Sequence, residues 1–163
     1  MIYLVLIFSF LFEASFSNIV PFYSLFTPLF LLTSIVIIFP YICKNKINFI
    51  FICMLLGMIY DMGFTGSKFV NTISFSIIGL ILIVCYNYVK YNIYTSNIIN
   101  IIVLISYRII SYIIMLSVNY IGFNNKEFFS GIYNSLLINI LYGIVMYFII
   151  EIIAKLLNKK RVE

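Results

Sequence analysis

The chain has 163 residues, of which 64% are hydrophobic and only 9% are charged, and its formal net charge is +5. So little polar surface excludes a water-soluble domain and predicts an integral membrane protein. The apolar segments are long and continuous, which favours an all-α polytopic bundle over an outer-membrane barrel of alternating strands. Histidine is absent and the three cysteines are scattered, which excludes metal sites built on His or Cys clusters.

Six apolar segments predict six transmembrane helices in a single membrane domain that covers residues 1–163. In chain order they are expected at about 1–17, 28–41, 47–62, 69–88, 97–119 and 129–157. The first segment carries Glu13 and lacks a basic start, so we interpret it as a helix and not as a signal peptide. Thr27 and Pro28 predict the start of the second helix, with the threonine as N-cap and the proline in the first helical position.

The distribution of basic residues predicts the orientation of these helices through the positive-inside rule. With both termini in the cytoplasm, the inner side carries the larger group of Lys and Arg. That group is Lys44, Lys46, Lys90, Lys155, Lys159, Lys160 and Arg161, and the outer side has only Lys68 and Lys126. We therefore expect a multi-pass protein, surrounded by membrane lipids, with both termini cytoplasmic.

Two polar residues inside the apolar segments are candidate functional positions. Asp61 is the only aspartate of the chain, and it ends the third apolar segment before a turn with Gly66. An acid at the membrane edge is costly and commonly marks function. It either bonds backbone N–H groups of the turn or a donor of a partner, or it is a solvated helix end. Asn139, inside the last helix, is expected to bond across helices or to contact a partner directly.

Arg108 lies near the middle of the predicted fifth helix, where a lone cation costs at least about 2.5–3.5 kcal/mol. At about 1.5 Å per residue, Glu13 and Arg108 lie at similar depths from the inner face. We therefore predict an intramembrane ion pair between them, provided that the first and fifth helices are neighbours. Asp61 is the second choice, and Glu151 is near enough to the cytoplasm to reach it. The remaining alternative is an outer, water-filled cavity in which Arg108 contacts an anionic ligand.

The residue patterns of common membrane catalysts are absent from the sequence. The single aspartate and the four glutamates, which are distant in sequence, offer no evident pair of acids that share a proton. No histidine or Ser-x-x-Lys pattern is present to activate a serine. Neither a P-loop nor a dinucleotide-binding glycine pattern occurs. We therefore expect no enzymatic activity, no cofactor and no nucleic-acid ligand.

A set of residues spread along the chain resembles the rod-shape-determining MreD family. These are Pro28 at the start of the second helix, Gly57-x-x-Tyr60-Asp61 at the end of the third, Thr65-Gly66 in the turn, and Asn139 in the last helix. The length, the helix count and the basic C-terminal tail fit as well. The chain departs from the family at position 69, where many members have glycine and this sequence has Phe69.

The resemblance implies a non-enzymatic scaffold in the bacterial cytoplasmic membrane. Members of the family bind the single-pass membrane protein MreC and help couple cytoskeletal filaments to peptidoglycan synthesis during cell elongation. The elongation glycosyltransferase and its transpeptidase belong to the same assembly. The resemblance also implies a six-helix bundle similar to the S components of energy-coupling-factor vitamin transporters.

Such an S component is the alternative function, and it differs from a scaffold in what it requires of the sequence. It needs a ligand pocket near the outer face and a small-xxx-small surface on the first helix. The first helix instead has Phe8, Phe12 and Phe16 at a spacing of four residues and no Ala-x-x-x-Ala pattern. Bulky side chains prevent the close backbone approach of such an interface, so the scaffold is favoured. A membrane protein unrelated to either family is the third alternative.

Overall fold

The computed structural model describes residues 2–19, 28–43, 45–64, 69–119 and 121–157. In these ranges the chain forms six helices and no strand, which confirms the predicted all-α architecture for the described residues. The helices are α1 (Ile2–Ile19), α2 (Phe30–Ile42), α3 (Lys46–Phe64), α4 (Val70–Tyr88), α5 (Ile93–Ser117) and α6 (Asn125–Leu156). Helices α3 to α6 are long and apolar enough to cross a bilayer, whereas the apolar parts of α1 and α2 are shorter. The chain is therefore a membrane protein with a helical bundle.

The start of α2 differs from the prediction. The helix begins at Phe30 and Leu29 occupies its N-cap position, so Pro28 precedes the cap and is not the first helical residue. Thr27, the predicted N-cap, lies outside the described residues. The prediction that Pro28 is the first helical residue was therefore wrong. The N–H groups at the start of α2 find their acceptors on other helices.

Helices α5 and α6 both begin earlier than predicted, because asparagines in the preceding loops cap them. The Asn92 side chain accepts a hydrogen bond from Thr95 N, and the Thr95 hydroxyl accepts one from Asn92 N, which forms a capping box. The Asn124 side chain accepts from Lys126 N at the start of α6. Local capping thus extends both helices at their N-terminal ends.

Helix α2 is the centre of the bundle. Every residue from Phe30 to Tyr41 is buried, and helices α1, α4, α5 and α6 pack around it. Its 13 residues span about 20 Å, less than the ~30 Å of a hydrocarbon core. Its first residues lie against Asn139, near the middle of α6. Helix α2 therefore begins inside the bundle and not at its end.

Pro40 lies within α2, and tyrosines from outside the helix satisfy the backbone there. A proline has no N–H, so the carbonyl of Val36, four residues earlier, loses its partner in the helix. The Tyr86 hydroxyl donates to Val36 O at 3.1 Å, and the Tyr91 hydroxyl donates to Ile37 O at 3.2 Å. Since water is not available in a membrane interior, these bonds allow the helix to continue through Pro40.

Helices α3 and α4 pack closely because glycines lie at their contact. A Cβ atom on Gly57 would lie 2.5 Å from the Asn71 carbonyl oxygen and 2.8 Å from Thr72 Cα. Further along, a Cβ atom on Gly79 would lie 3.2 Å from Cys53 Sγ. Gly57 thereby brings the end of α3 against the first turn of α4, and this contact positions Asp61 one helical turn beyond it.

Candidate functional site

Helices α2 and α4 begin without a capping side chain of their own. Leu29 and Phe69 occupy the two N-cap positions, and neither makes a side-chain cap bond. The first N–H groups of a helix have no partner within it, and in a membrane protein they need an acceptor from elsewhere. In both helices that acceptor is a side chain of another helix. We call these two ends the α2 cap and the α4 cap.

The α2 cap consists of Glu13 on α1 and Asn139 on α6. Asn139 Oδ1 accepts a hydrogen bond from Leu29 N at 2.8 Å, and Glu13 Oε2 accepts one from Leu31 N at 2.9 Å. The Tyr60 hydroxyl donates to the other carboxylate oxygen, Glu13 Oε1, at 2.6 Å. Glu13 is only 1% exposed and Asn139 is fully buried. The acid thus lies at the positive end of the α2 dipole and joins three helices there.

Asn139 extends this cap to a further helix. Its amide group donates to the Ser135 carbonyl in its own helix, while its backbone carbonyl accepts from Asn100 Nδ2 at 3.4 Å. Asn100 belongs to α5. The bonds of Asn139 therefore join α6 to both α2 and α5, which is the cross-helix bonding that the sequence suggested.

The α4 cap is built on Asp61 at the end of α3. Its Oδ1 accepts from Asn71 N at 3.0 Å and from Asn71 Nδ2 at 2.9 Å. Its Oδ2 accepts from Thr72 N at 2.8 Å and from the Thr72 hydroxyl at 2.7 Å. One carboxylate thus takes the place of an N-cap side chain and lies at the positive end of α4. Of the two interpretations of Asp61, the geometry agrees with the acid that bonds backbone N–H groups.

The two caps are parts of one connected network. Tyr60 of the α2 cap and Asp61 of the α4 cap are consecutive in α3. Asn71, which bonds Asp61, accepts at Oδ1 from the Tyr107 hydroxyl of α5 at 2.6 Å. The rings of Tyr60 and Tyr107 both pack against Phe75, with centroids 5.6 Å and 5.8 Å away. All six helices therefore contribute to this network, α6 through Asn139.

Arg108 follows Tyr107 in α5 and lies within electrostatic range of Glu13 and Tyr60. Glu13 receives its hydrogen bonds from Tyr60 and from the backbone of α2, and sequence analysis had named neither. Helix α1 packs mainly against α2 and α6. The ion pair between Glu13 and Arg108 therefore stays a prediction, and the observed role of Glu13 is in the α2 cap.

A cluster of hydroxyl groups joins α1 to α2 and α6 next to the α2 cap. The Ser9 and Ser34 oxygens are 2.7 Å apart, and the Tyr142 hydroxyl lies 2.9 Å from Ser9 Oγ and 3.3 Å from Ser34 Oγ. The Tyr142 ring stacks on Phe30 with a centroid distance of 4.3 Å, and Phe12 of α1 stacks on the same Phe30 at 5.3 Å. Sequence analysis did not identify this cluster, because serines and tyrosines are common along the whole chain.

Most of the residues that carry the family resemblance fall in or beside the two caps. Tyr60, Asp61 and Asn139 belong to the caps themselves, Gly57 allows the α4 cap to form, and Pro28 directly precedes the first capped N–H. Thr65 and Gly66 lie outside the described residues. In the part of the chain that the structure describes, no three His, Cys, Asp or Glu side chains are grouped to hold a metal ion.

The fold and the site define a class of protein: a helical membrane bundle whose short central helix is capped by side chains of its neighbours. Searches against protein-family models, curated protein sequences and solved structures gave no match.

Proposed function

We propose that the chain is a non-enzymatic scaffold of the bacterial cell-elongation machinery, similar to MreD. In this role it binds an MreC-like single-pass membrane protein and helps couple cytoskeletal filaments to peptidoglycan synthesis. One observation carries the proposal: residues that resemble the family, although far apart in sequence, converge on the two connected caps. Tyr60 and Asp61 at the end of α3 and Asn139 in α6 are far apart in sequence, yet they belong to the same connected network, and Gly57 allows its α4 part to form.

The backbone at position 69 gives further support. Phe69 has φ 70° and ψ 0°, which is the left-handed conformation that glycine adopts without strain. Many members of the resembled family have glycine at this position. The departure in sequence therefore keeps a backbone conformation that glycine adopts best, and the conformation at position 69 is compatible with the family.

The hydrogen bonds of Glu13 and Asp61 favour a role of these two acids in positioning helices over a role in catalysis. Both oxygens of Asp61 accept two hydrogen bonds each, and both oxygens of Glu13 accept bonds that hold α2 and α3. Their hydrogen bonds fix the starts of two helices and so shape the outer half of the bundle. A scaffold needs such a fixed shape, because its partner recognises a surface and not a reactive group.

Two observations favour the scaffold over the S component of a vitamin transporter. The exposed side of α1 carries large side chains, among them Leu4, Phe8 and Leu11, which are 57–60% exposed and oppose close helix packing. A transporter of this architecture can direct the N-terminus of a short helix at an anionic ligand. Here the Glu13 carboxylate occupies that position at α2.

The proposal includes the orientation with both termini in the cytoplasm of a bacterial cell. Lys46, Lys90 and Lys155 lie at one end of the described bundle, since they begin α3, follow α4 and end α6. Single cysteines at Tyr88 and Phe123, in a chain whose native cysteines are replaced, test this arrangement. A membrane-impermeant thiol reagent applied to intact cells should label Phe123→Cys and not Tyr88→Cys. The opposite pattern, or equal labelling, would contradict the orientation.

Purification of the tagged chain from native membranes tests the scaffold itself. Recovery of a single-pass membrane protein with a coiled-coil region is the expected result. Recovery of two ATPases would instead establish the transporter alternative.

The same purification tests the role of Asp61 through the variant Asp61→Ala. Ile59→Ala is its matched control, because Ile59 is 50% exposed on the same helix and outside the caps. At equal expression, Asp61→Ala should recover less partner than Ile59→Ala.

A further inference from the structure

A third polar cluster lies between α2, α5 and α6, outside the two caps. Its side chains are Thr33 on α2 and Asn97 and Asn100 on α5, and they surround Gly143 on α6. A Cβ atom on Gly143 would lie 3.1 Å from Asn100 Nδ2, 3.2 Å from Asn97 Oδ1 and 3.3 Å from Thr33 Cγ2. The side chains of Thr33, Asn97 and Asn100 thus pack together against the side of α6 that Gly143 leaves without a side chain.

Two oxygen atoms of this cluster make no hydrogen bond with the described residues. They are Thr33 Oγ1 and Asn100 Oδ1, and both residues are fully buried. A threonine hydroxyl inside a helix commonly bonds the carbonyl four residues earlier, but the Thr33 hydroxyl does not. Buried polar atoms without a partner are rare, because their lost hydration is not replaced.

The orientation of the Asn100 amide is fixed by its other contact. Asn100 Nδ2 donates to the Asn139 carbonyl oxygen at 3.4 Å. If the amide were flipped, its oxygen would face this carbonyl oxygen, and two acceptors would repel each other. Asn97 Nδ2 likewise donates to the Ile93 carbonyl at 2.9 Å, which directs Asn97 Oδ1 towards Gly143. The two atoms without a partner, Asn100 Oδ1 and Thr33 Oγ1, thus belong to side chains that pack at the same glycine, and the amide oxygen requires a hydrogen-bond donor.

We propose that this cluster binds a single buried water molecule that bridges Thr33 Oγ1 and Asn100 Oδ1. A water molecule can donate to Asn100 Oδ1 and accept from the Thr33 hydroxyl. A buried water typically makes about three hydrogen bonds, and three polar groups are present here. The tight space around Gly143 selects a small guest, and the lack of a carboxylate in the cluster favours a neutral one over a metal cation. The bound water joins α2 to α5 beside the α2 cap.

A thermodynamic cycle tests whether the two groups share a guest. Thr33→Val keeps the shape of the side chain and removes only the hydroxyl, and Asn100→Ala removes the amide. If a water bridges them, each single change should lower the melting temperature, Thr33→Val by about 2–4 °C. The double variant should then lose clearly less than the sum, because the first change already releases the water. Thr33→Ser, which keeps the hydroxyl, should keep the coupling with Asn100→Ala.

A matched control uses a hydroxyl that has its own partner. The Ser76 hydroxyl donates to the Thr72 carbonyl at 2.8 Å in α4, away from the cluster, so Ser76→Ala and Asn100→Ala should be additive. The proposal is overturned if Thr33→Val leaves the melting temperature unchanged or raises it, since removal of a dry, unpaired hydroxyl costs nothing. It is equally overturned if Thr33→Val and Asn100→Ala are additive.

Exchange of sodium for N-methyl-glucamine distinguishes water from a cation at the same oxygens. The melting temperature of the parent chain should be the same in both salts. A lower melting temperature without sodium, which Thr33→Val abolishes, would identify a monovalent cation and overturn the proposal of a bound water.

If Asn100→Ala is not recovered from the membrane, a high-resolution density map decides. A peak within about 3 Å of both oxygens is then the expected result, and its absence contradicts the proposal.

Discussion

The α2 cap and the α4 cap solve the same problem with different parts of the chain. The α4 cap joins Asp61 to residues 10 and 11 positions later, within one pair of neighbouring helices. The α2 cap takes its acceptors from α1 and α6, at separations of 18 and 110 residues. The first therefore needs only the α3–α4 pair to form, whereas the second needs four helices in place. The first turn of α4 can therefore form locally, whereas the first turn of α2 is capped only after several helices have packed together.

The two caps also differ in their access to water. Glu13 and Asn139 are 1% and 0% exposed, while Asp61 is half-buried. When a capping side chain is lost, water can replace it only where water can enter. We therefore expect loss of the buried acid Glu13 to destabilise the protein more than loss of Asp61.

The largest effect is expected from Glu13→Leu. This change removes the acceptor of Leu31 N and of the Tyr60 hydroxyl, and each buried donor left without a partner costs about 1–3 kcal/mol. The free energy of unfolding in mixed detergent micelles should fall by about 2–6 kcal/mol. Tyr60→Phe is the matched variant, because it removes one donor and leaves the bond to α2, so its loss should be smaller. Equal stability of Glu13→Leu and the parent would contradict the α2 cap.

Asp61→Ala should have a smaller and more local effect. Water can reach part of the site, so we expect a loss of about 1–3 kcal/mol, and Asp61→Asn, which keeps one acceptor, should lose less. Amide hydrogen exchange should increase at Asn71 and Thr72 and remain unchanged at Leu29 and Leu31. An increase at both helix starts would show that the two caps fold as one unit and would remove the distinction between them.

Asn139→Leu tests the other half of the α2 cap. Cross-helix bonds of asparagine in membranes are worth about 0.6–2 kcal/mol, so insertion should be preserved while thermal unfolding in detergent occurs more readily. Leu137→Ala is a control on the same helix, since Leu137 is 56% exposed. An unchanged melting profile together with lost partner recovery would instead assign Asn139 to a direct contact with the partner.

The smallest effect is expected from Phe69→Gly, beside the α4 cap. Relief of the left-handed conformation gains about 1–2 kcal/mol, and the greater freedom of glycine in the unfolded chain offsets about 0.5–1 kcal/mol of this. Phe69→Ala removes the ring but keeps the strained conformation, so glycine should be the more stable of the two. If alanine is as stable as glycine, position 69 carries no backbone strain.

The position of Asp61 was predictable, and the role of Glu13 was not. Asp61 is a lone acid beside glycines at the end of an apolar segment. Its partners follow only 10 and 11 residues later in the chain. Glu13 was assigned to Arg108 by depth, provided that the first and fifth helices are neighbours, and that ion pair stays a prediction. Because α2 starts inside the bundle, its N–H groups lie at the level of Glu13 and bond the acid. No pattern in the sequence reports the depth at which a short helix begins.

The amino-acid sequence by itself determined that this is an all-helical membrane protein, since long apolar segments in lipid can satisfy their backbone only as helices. It also determined the approximate helix positions, although the asparagines that cap α5 and α6 start both helices earlier than predicted. Only the tertiary structure decided which side chains begin α2, because Glu13 and Asn139 reach it from distant parts of the chain. Contacts of that kind depend on how helices pack, and packing is a property of all six helices together.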